Sequence, residues 1–222
     1  MTLSASFLNV HNQIRAAELK HHRPKNSVTL LAVSKTQPPE KIREAFKAGQ
    51  TRFGENYLQE ALEKQAILKD LKIEWHFIGA IQSNKTKSIA EHFQWVHSVG
   101  QLAIAKRLND QRPAHLPPLN ICIEVNIDSE KTKSGVSVEN VLELAKNIST
   151  LKRLKLRGLM IIPEKNNVEA FAKTAALQQQ LISAGFLVDT LSMGMSADFE
   201  AAIAAGSTLV RMGTKIFGRR KS

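Results

Sequence analysis

The sequence predicts an α/β fold, a closed (β/α)8 TIM barrel with one additional N-terminal helix. Short apolar runs alternate with stretches of helical spacing, eight such runs can be found, and polar or small residues collect just after them. A chain of 222 residues suits one barrel as well as it suits two small domains, and an open doubly wound sheet competes for the same alternation. No Gly/Ser linker or low-complexity segment divides the chain, so residues 1–222 are expected to form a single domain.

The opening segment, MTLSASFLNVHNQIRAAELKHH, has an acidic residue and a helical period but no uninterrupted apolar stretch, which reads as a surface helix and not a signal peptide. The first strand is expected over Thr29–Ser34, followed by a helix over Pro39–Ala48. Strand two, Arg52–Gly54, leads to a helix over Tyr57–Leu68; strand three, Trp75–Gly79, to Ser88–His92; and strand four, Trp95–Val99, to Leu102–Leu108. The long apolar run Asn120–Asn126 is strand five and Val138–Ile148 its helix. Lys155–Ile162 with Val168–Ala184, Thr190–Met193 with Ala197–Ala205, and finally Thr208–Met212 complete the eight.

Composition excludes several classes. Apolar residues make up 43% and charged residues 23%, with no apolar span long enough to cross a bilayer. The one cysteine, Cys122, lies inside the apolar stretch 119–123, cannot form an internal disulfide and has no partners for a metal site, so it is expected in the core. The formal charge of +11 invites a nucleic-acid reading, but the basic residues are scattered among acids and only Arg219, Arg220 and Lys221 form a block. Solvated helix faces are the reading preferred here.

In a barrel of this kind active sites collect at the C-terminal strand ends. Those ends carry Lys35, Glu55 and Asn56, Gly79, Ser98, Asn126, Met160, Gly194 to Ser196, and Arg211 to Thr214. Lys35 follows the run LLAVS, where a charged side chain is least expected. A lysine desolvated in a barrel mouth gives up its proton more readily and can attack a carbonyl to form a Schiff base. The turns SMGMSAD and MGTKIFG, after strands seven and eight, offer backbone N–H groups to an anion, the recurring phosphate site of this fold. Ser196 can alternatively be a plain N-cap for a helix from Ala197. A lysine facing a phosphate site suggests a phosphorylated aldehyde, either pyridoxal 5'-phosphate or a sugar phosphate of a Schiff-base aldolase. Arg211 favours the first, because a guanidinium has only donors and can hydrogen-bond a pyridine nitrogen; a structural salt bridge is its other reading. His76 can position the lysine or a ring oxygen, or be a core histidine. Asn84, Lys85 and Lys133 belong to loops above the mouth, where most lysines face solvent, and Tyr57 is expected to pack its ring.

The stretches LLAVSKTQPPEKIREAFKAGQTRFGENYLQEALEK, WHFIGAIQSNK, VNIDSEKTKSGV, RGLMIIP and LSMGMSADFEAAIAAGSTLVRMGTKIFG resemble, in order and spacing, the pyridoxal phosphate homeostasis protein family, whose members have the barrel of the alanine racemase N-terminal domain. The resemblance covers nearly the whole chain. It implies that Lys35 carries pyridoxal 5'-phosphate as an internal aldimine, that Ser196, Gly213 and Thr214 hold the phosphate, that Arg211 faces the pyridine nitrogen and that Asn56 lies near the ring. His76, Met160 and Lys133 are candidates for a surrounding layer.

The electron sink of this cofactor weakens when its ring nitrogen faces arginine. Racemization needs two acid/base groups on opposite faces of the substrate carbon, and in the related racemases one comes from an additional domain that this sequence is not expected to supply. The expectation is therefore a cytoplasmic, monomeric protein that stores pyridoxal phosphate and delivers it to apo-enzymes, with little or no turnover. A small pyridoxal phosphate-dependent racemase is the alternative.

Overall fold

A computed structural model describes residues 2–130 and 134–218. The chain opens with α1 (Leu3–Lys20), whose first turn is capped by the Thr2 hydroxyl accepting from the Ala5 amide at 3.3 Å. Phe7, Val10, Ile14 and Ala17, spaced for one helical face, are buried; α1 lies against the helices designated α2, α8 and α9 below. The expected surface helix thus has an inner face. Buried Glu18 turns the chain back toward the barrel, accepting from the Val28 amide at 2.7 Å and the Asn26 amide at 3.0 Å.

Eight parallel strands follow: β1 (Thr29–Val33), β2 (Arg52–Glu55), β3 (Glu74–Phe77), β4 (Trp95–Val99), β5 (Leu119–Asn126), β6 (Leu154–Met160), β7 (Thr190–Ser192) and β8 (Leu209–Met212). Each pairs with the next, and β8 pairs with β1 with Leu31 opposite Arg211, so the sheet closes on itself. The intervening helices are α2 (Pro39–Lys47), α3 (Leu58–Ile67), α4 (Thr86–His92), α5 (Leu102–Gln111), α6 (Val141–Ser149), α7 (Glu169–Ser183) and α8 (Phe199–Ala204), with α9 (Thr214–Phe217) after β8. The predicted TIM barrel is what the chain forms.

Strand residues alternate between two environments. Leu30, Ala32, Phe53, Phe77 and Val96 meet buried helix residues such as Ile42, Ala45, Ala61, Ile89 and Phe93 in the main apolar core. Burial of each large apolar side chain contributes about 1.5–3 kcal/mol before the entropy of ordering is charged. Cys122, Trp95 and Met160 form a separate small apolar cluster. Beside Leu31 and Leu209, the remaining interior carries polar groups, with His76, His97, Ser192 and Arg211 all buried.

Boundaries differ from the sequence expectation by a few residues, and three features differ in kind. A two-residue strand, Val136–Ser137, pairs with the end of β5. Short 3-10 turns, Ser83–Lys85 and Val138–Asn140, lead into α4 and α6. Tyr57, expected to pack its ring, is 56% exposed at the start of α3.

Candidate functional site

The loop after β1 is built from buried charge. Ser34 is buried, its amide bonds the Gly54 carbonyl at 3.0 Å, and its hydroxyl donates to Glu55 Oε1 at 2.6 Å. Lys64 of α3, only 4% exposed, donates to Glu55 Oε1 at 2.8 Å and to the Ser34 carbonyl at 2.7 Å, and pairs with Glu60 at 2.6 Å. Glu60 in turn accepts from the Thr36 amide at 2.6 Å, and Thr36 takes a left-handed φ of 63°. Lys35, between these two anchored residues, is therefore delivered to one place at the mouth. Burial pushes the Glu55 carboxyl up from its ordinary value, and Lys64 opposes that push.

Lys35 lines a cavity of about 310 Å³ at the C-terminal strand ends, together with Asn56, Ser196, Arg211, Gly213 and Thr214. Val33, Gln37, Ile78, Ile162 and Met195 also contribute to its wall. Six residues expected at the site from sequence thus meet in one cavity, although they come from β1, β2, β7 and β8. His76 and Met160 do not line it, being buried inside the barrel below. Lys133 and the basic tail lie outside the described residues. Sequence reasoning missed Gln37, and it placed Met195 at the strand-seven end without giving it a part in the site; both line the cavity.

The turn after β7 differs from the simple cap considered above. The helix starts at Phe199, not Ala197, and the Asp198 side chain accepts from the Met195 amide at 2.6 Å. Gly194 has φ +94°, and a Cβ there would lie 2.6 Å from that of Ala202. Ser196 is thereby left at the cavity wall without capping duty, and among the described hydrogen bonds neither its hydroxyl nor that of Thr214 has a partner. At β8, a Cβ on Gly213 would come within 3.0 Å of the Val33 carbonyl, so glycine lets the strand end approach β1. On the opposite wall, Asn56 is held by its backbone against Gly79, where a Cβ would stand 2.0 Å from the Asn56 carbonyl oxygen. Its side-chain Oδ1 is buried and unpartnered.

Arg211 crosses the floor, donating through Nη1 to the Ser192 carbonyl at 2.6 Å and hydroxyl at 2.8 Å, and through Nη2 to the Ile161 carbonyl at 2.9 Å. Burial pushes its guanidinium down to about 10, which leaves it charged at neutral pH. Beneath it His97 Nδ1 lies 2.8 Å from Ser192 Oγ and Nε2 lies 2.9 Å from His76 Nδ1, while His76 Nε2 lies 2.9 Å from Glu74 Oε1. Burial pushes both histidines down, His97 well below 6.5, while Glu74 partly counters the effect on His76.

Both rings are thus neutral in the fold and take up protons on unfolding in mild acid. A depressed histidine contributes stability that is whole above its unfolded value and lost as pH falls below it. Stability should therefore fall on going from about pH 7.5 to about 5.5, by up to about 1.4 kcal/mol per pH unit for each ring. Denaturant midpoints across that window measure it, and a flat profile would contradict neutral rings.

The cavity joins an amine, a buried unpartnered acceptor, two hydroxyls beside a glycine-bearing turn, and a fixed cation. Its volume is at the small end of the roughly 300–1,000 Å³ usual for small-molecule pockets. This donor set suits a compact anionic ligand with a carbonyl for the lysine and an acceptor for the arginine.

The family profile described as "Alanine racemase, N-terminal domain" matches residues 11–221. A Pseudomonas aeruginosa protein named pyridoxal phosphate homeostasis protein is 54% identical over 99% of this chain and 96% of its own length. A protein of the same name from Escherichia coli is 49% identical over 98% of this chain and 97% of its own. Among solved structures, PipY of Synechococcus elongatus, solved with PLP bound, superposes with a TM-score of 0.81 at 37% identity, covering 92% of this chain and 98% of that one. An alanine racemase from Corynebacterium glutamicum superposes with a TM-score of 0.69 at 15% identity, covering 99% of this chain and 61% of that one, a likeness of fold alone.

Proposed function

The chain belongs to the pyridoxal phosphate homeostasis protein family, within the wider family of the alanine racemase N-terminal domain, and from that premise we propose that it binds pyridoxal 5'-phosphate through a Schiff base on Lys35 and stores and delivers the cofactor. The observation that carries this reading is the meeting of Lys35 with Ser196, Gly213 and Thr214 around one cavity. The two hydroxyls and the turn amides form the phosphate cup, Arg211 meets the ring nitrogen, and Asn56 offers its unpartnered oxygen beside the ring.

When bound, pyridoxal phosphate supplies an aldehyde for amines and a ring that withdraws electrons strongly only when its nitrogen is protonated. Arg211 supplies donors and keeps its charge at neutral pH, so it holds that nitrogen unprotonated. That weakened electron sink disfavours broad amino-acid chemistry, which suits a carrier. The protein is taken to act as a cytoplasmic monomer handing its cargo to apo-enzymes. No helix among the described residues is long and apolar enough to cross a membrane.

The test is the absorbance spectrum of the loaded protein before and after borohydride, with the reduced lysine mapped by peptide mass. A spectrum of free cofactor only, with nothing trapped, would count against the reading. Replacing both Ser196 and Thr214 with alanine should weaken retention without abolishing attachment. Each hydroxyl bond to a charged phosphate is worth roughly 1.5–3 kcal/mol, so losing both is expected to cost about 100-fold or more in affinity. Unchanged affinity by equilibrium dialysis would remove the cup from these turns.

A further inference from the structure

The polar interior beneath the cavity has a direction. Glu74 is a carboxylate, held below its ordinary range first by its hydrogen bond to His76, so it accepts and His76 Nε2 carries the proton it receives. A neutral His76 then has a bare Nδ1, so the proton in its 2.9 Å contact with His97 belongs to His97 Nε2. His97, neutral as well, has a bare Nδ1 and takes a hydrogen bond from the Ser192 hydroxyl. That hydroxyl, its one proton spent, accepts from Arg211 Nη1. Every bond therefore runs the same way, from Arg211 through Ser192, His97 and His76 to Glu74.

The chain crosses the barrel, because β4, which carries His97, and β7, which carries Ser192, are not neighbours in the sheet. It ends in a second cavity, of about 410 Å³, at the N-terminal ends of the strands, lined by His76, Glu74 and Trp95. Trp95 stacks on His76 with centroids 5.3 Å apart and planes 8° from parallel, and Arg52 holds Glu74 at 3.0 Å, so the Glu74 end of the chain is fixed. A reversed link anywhere would set two lone pairs or two hydrogens against each other in a buried space.

We infer that His97 and His76 are positioning residues for Arg211: through the Ser192 hydroxyl they hold the guanidinium in one orientation, along a one-way hydrogen-bond chain anchored on Glu74 at the far mouth of the barrel. The inference rests on the reading above in taking Arg211 as the partner of the cofactor's ring nitrogen. Losing the chain takes away one of the guanidinium's three bonds and leaves the Ser192 and Ile161 carbonyls to hold it less firmly, which changes what the ring nitrogen meets while Lys35 and the phosphate cup stay in place.

The test has two arms. Nitrogen NMR of the cofactor-free full chain, with the signals assigned by His76→Gln and His97→Gln, should find both rings protonated at Nε2 and bare at Nδ1. Pyridoxal phosphate titrated into Ser192→Ala and His97→Phe should bind roughly tenfold more weakly, the effect of one lost buried hydrogen bond to a charged group, with a shifted absorption band. His97→Gln, which keeps an acceptor and a donor, should recover part of both. Ser192→Ala is the smallest change and decides the matter if His97→Phe does not fold. A proton on His97 Nδ1, or a folded Ser192→Ala protein with the parent's affinity and spectrum, would overturn the chain. Failure of the parent to take up pyridoxal phosphate would end the cofactor reading instead, leaving the ring-nitrogen result to stand on its own.

Discussion

Lys35→Ala abolishes the borohydride-trapped adduct while leaving a folded barrel. The fold survives because the bonds that tie this loop down are made by the Ser34 hydroxyl and carbonyl and the Thr36 amide, all anchored on Glu55, Glu60 and Lys64. What goes is the amine that the loop presents to the cavity. The loss should be complete, because removing a nucleophile removes the covalent bond altogether and not a fraction of it. Some affinity persists through Arg211 and the phosphate cup, seen as cofactor that dialyses away. Peptide mapping after reduction checks this, and an adduct of undiminished yield on another lysine would refute the assignment.

The second large effect is on stability. Lys64→Met leaves Glu55, fully buried, without its cation, and Glu55 Oε2 already has no partner. Breaking a buried ion pair from one side costs about 3–5 kcal/mol. The pH dependence identifies the cause. The Glu55 carboxyl is already raised by burial, and without Lys64 it rises further, so the folded variant binds a proton that the unfolded chain releases. Its stability is therefore greatest in mild acid and falls as pH rises through the raised value. The deficit relative to the parent widens toward neutral pH, and adding Glu55→Gln should recover part of it. Urea unfolding at several pH values measures this, and a variant within about 1 kcal/mol of the parent throughout would show that the pair is not a structural anchor.

The barrel and its mouth were legible because both depend on local pattern. Each strand is a short apolar run, and residues just past the runs at Lys35, Asn56, Ser196 and Arg211 had to share one end of a closed parallel sheet. Lys64 was not legible. In sequence it is one helical lysine among many, assigned by default to solvent, and it is buried because Glu55, next to a buried strand run, faces the same helix. The bond from His97 to Ser192 was hidden for a different reason. It joins strands far apart in the chain across the interior, and no spacing rule relates positions on opposite walls. The strand Val136–Ser137 exists only through its pairing with β5, and two residues carry no periodicity.

Closing the ring by pairing β1 with β8 has a mechanical consequence for a molecule bound at the mouth. Lys35 extends from one side of that seam and Gly213 and Thr214 from the other, so a molecule bonded to the first and gripped by the second acts as a rivet across the joint. Its binding free energy, about 2.7 kcal/mol at a free concentration one hundred times Kd, then opposes parting of those two edges. Loaded and empty molecules differ in how readily the seam breathes. Amide exchange at Leu30–Val33 and at Val210–Met212 reads that difference.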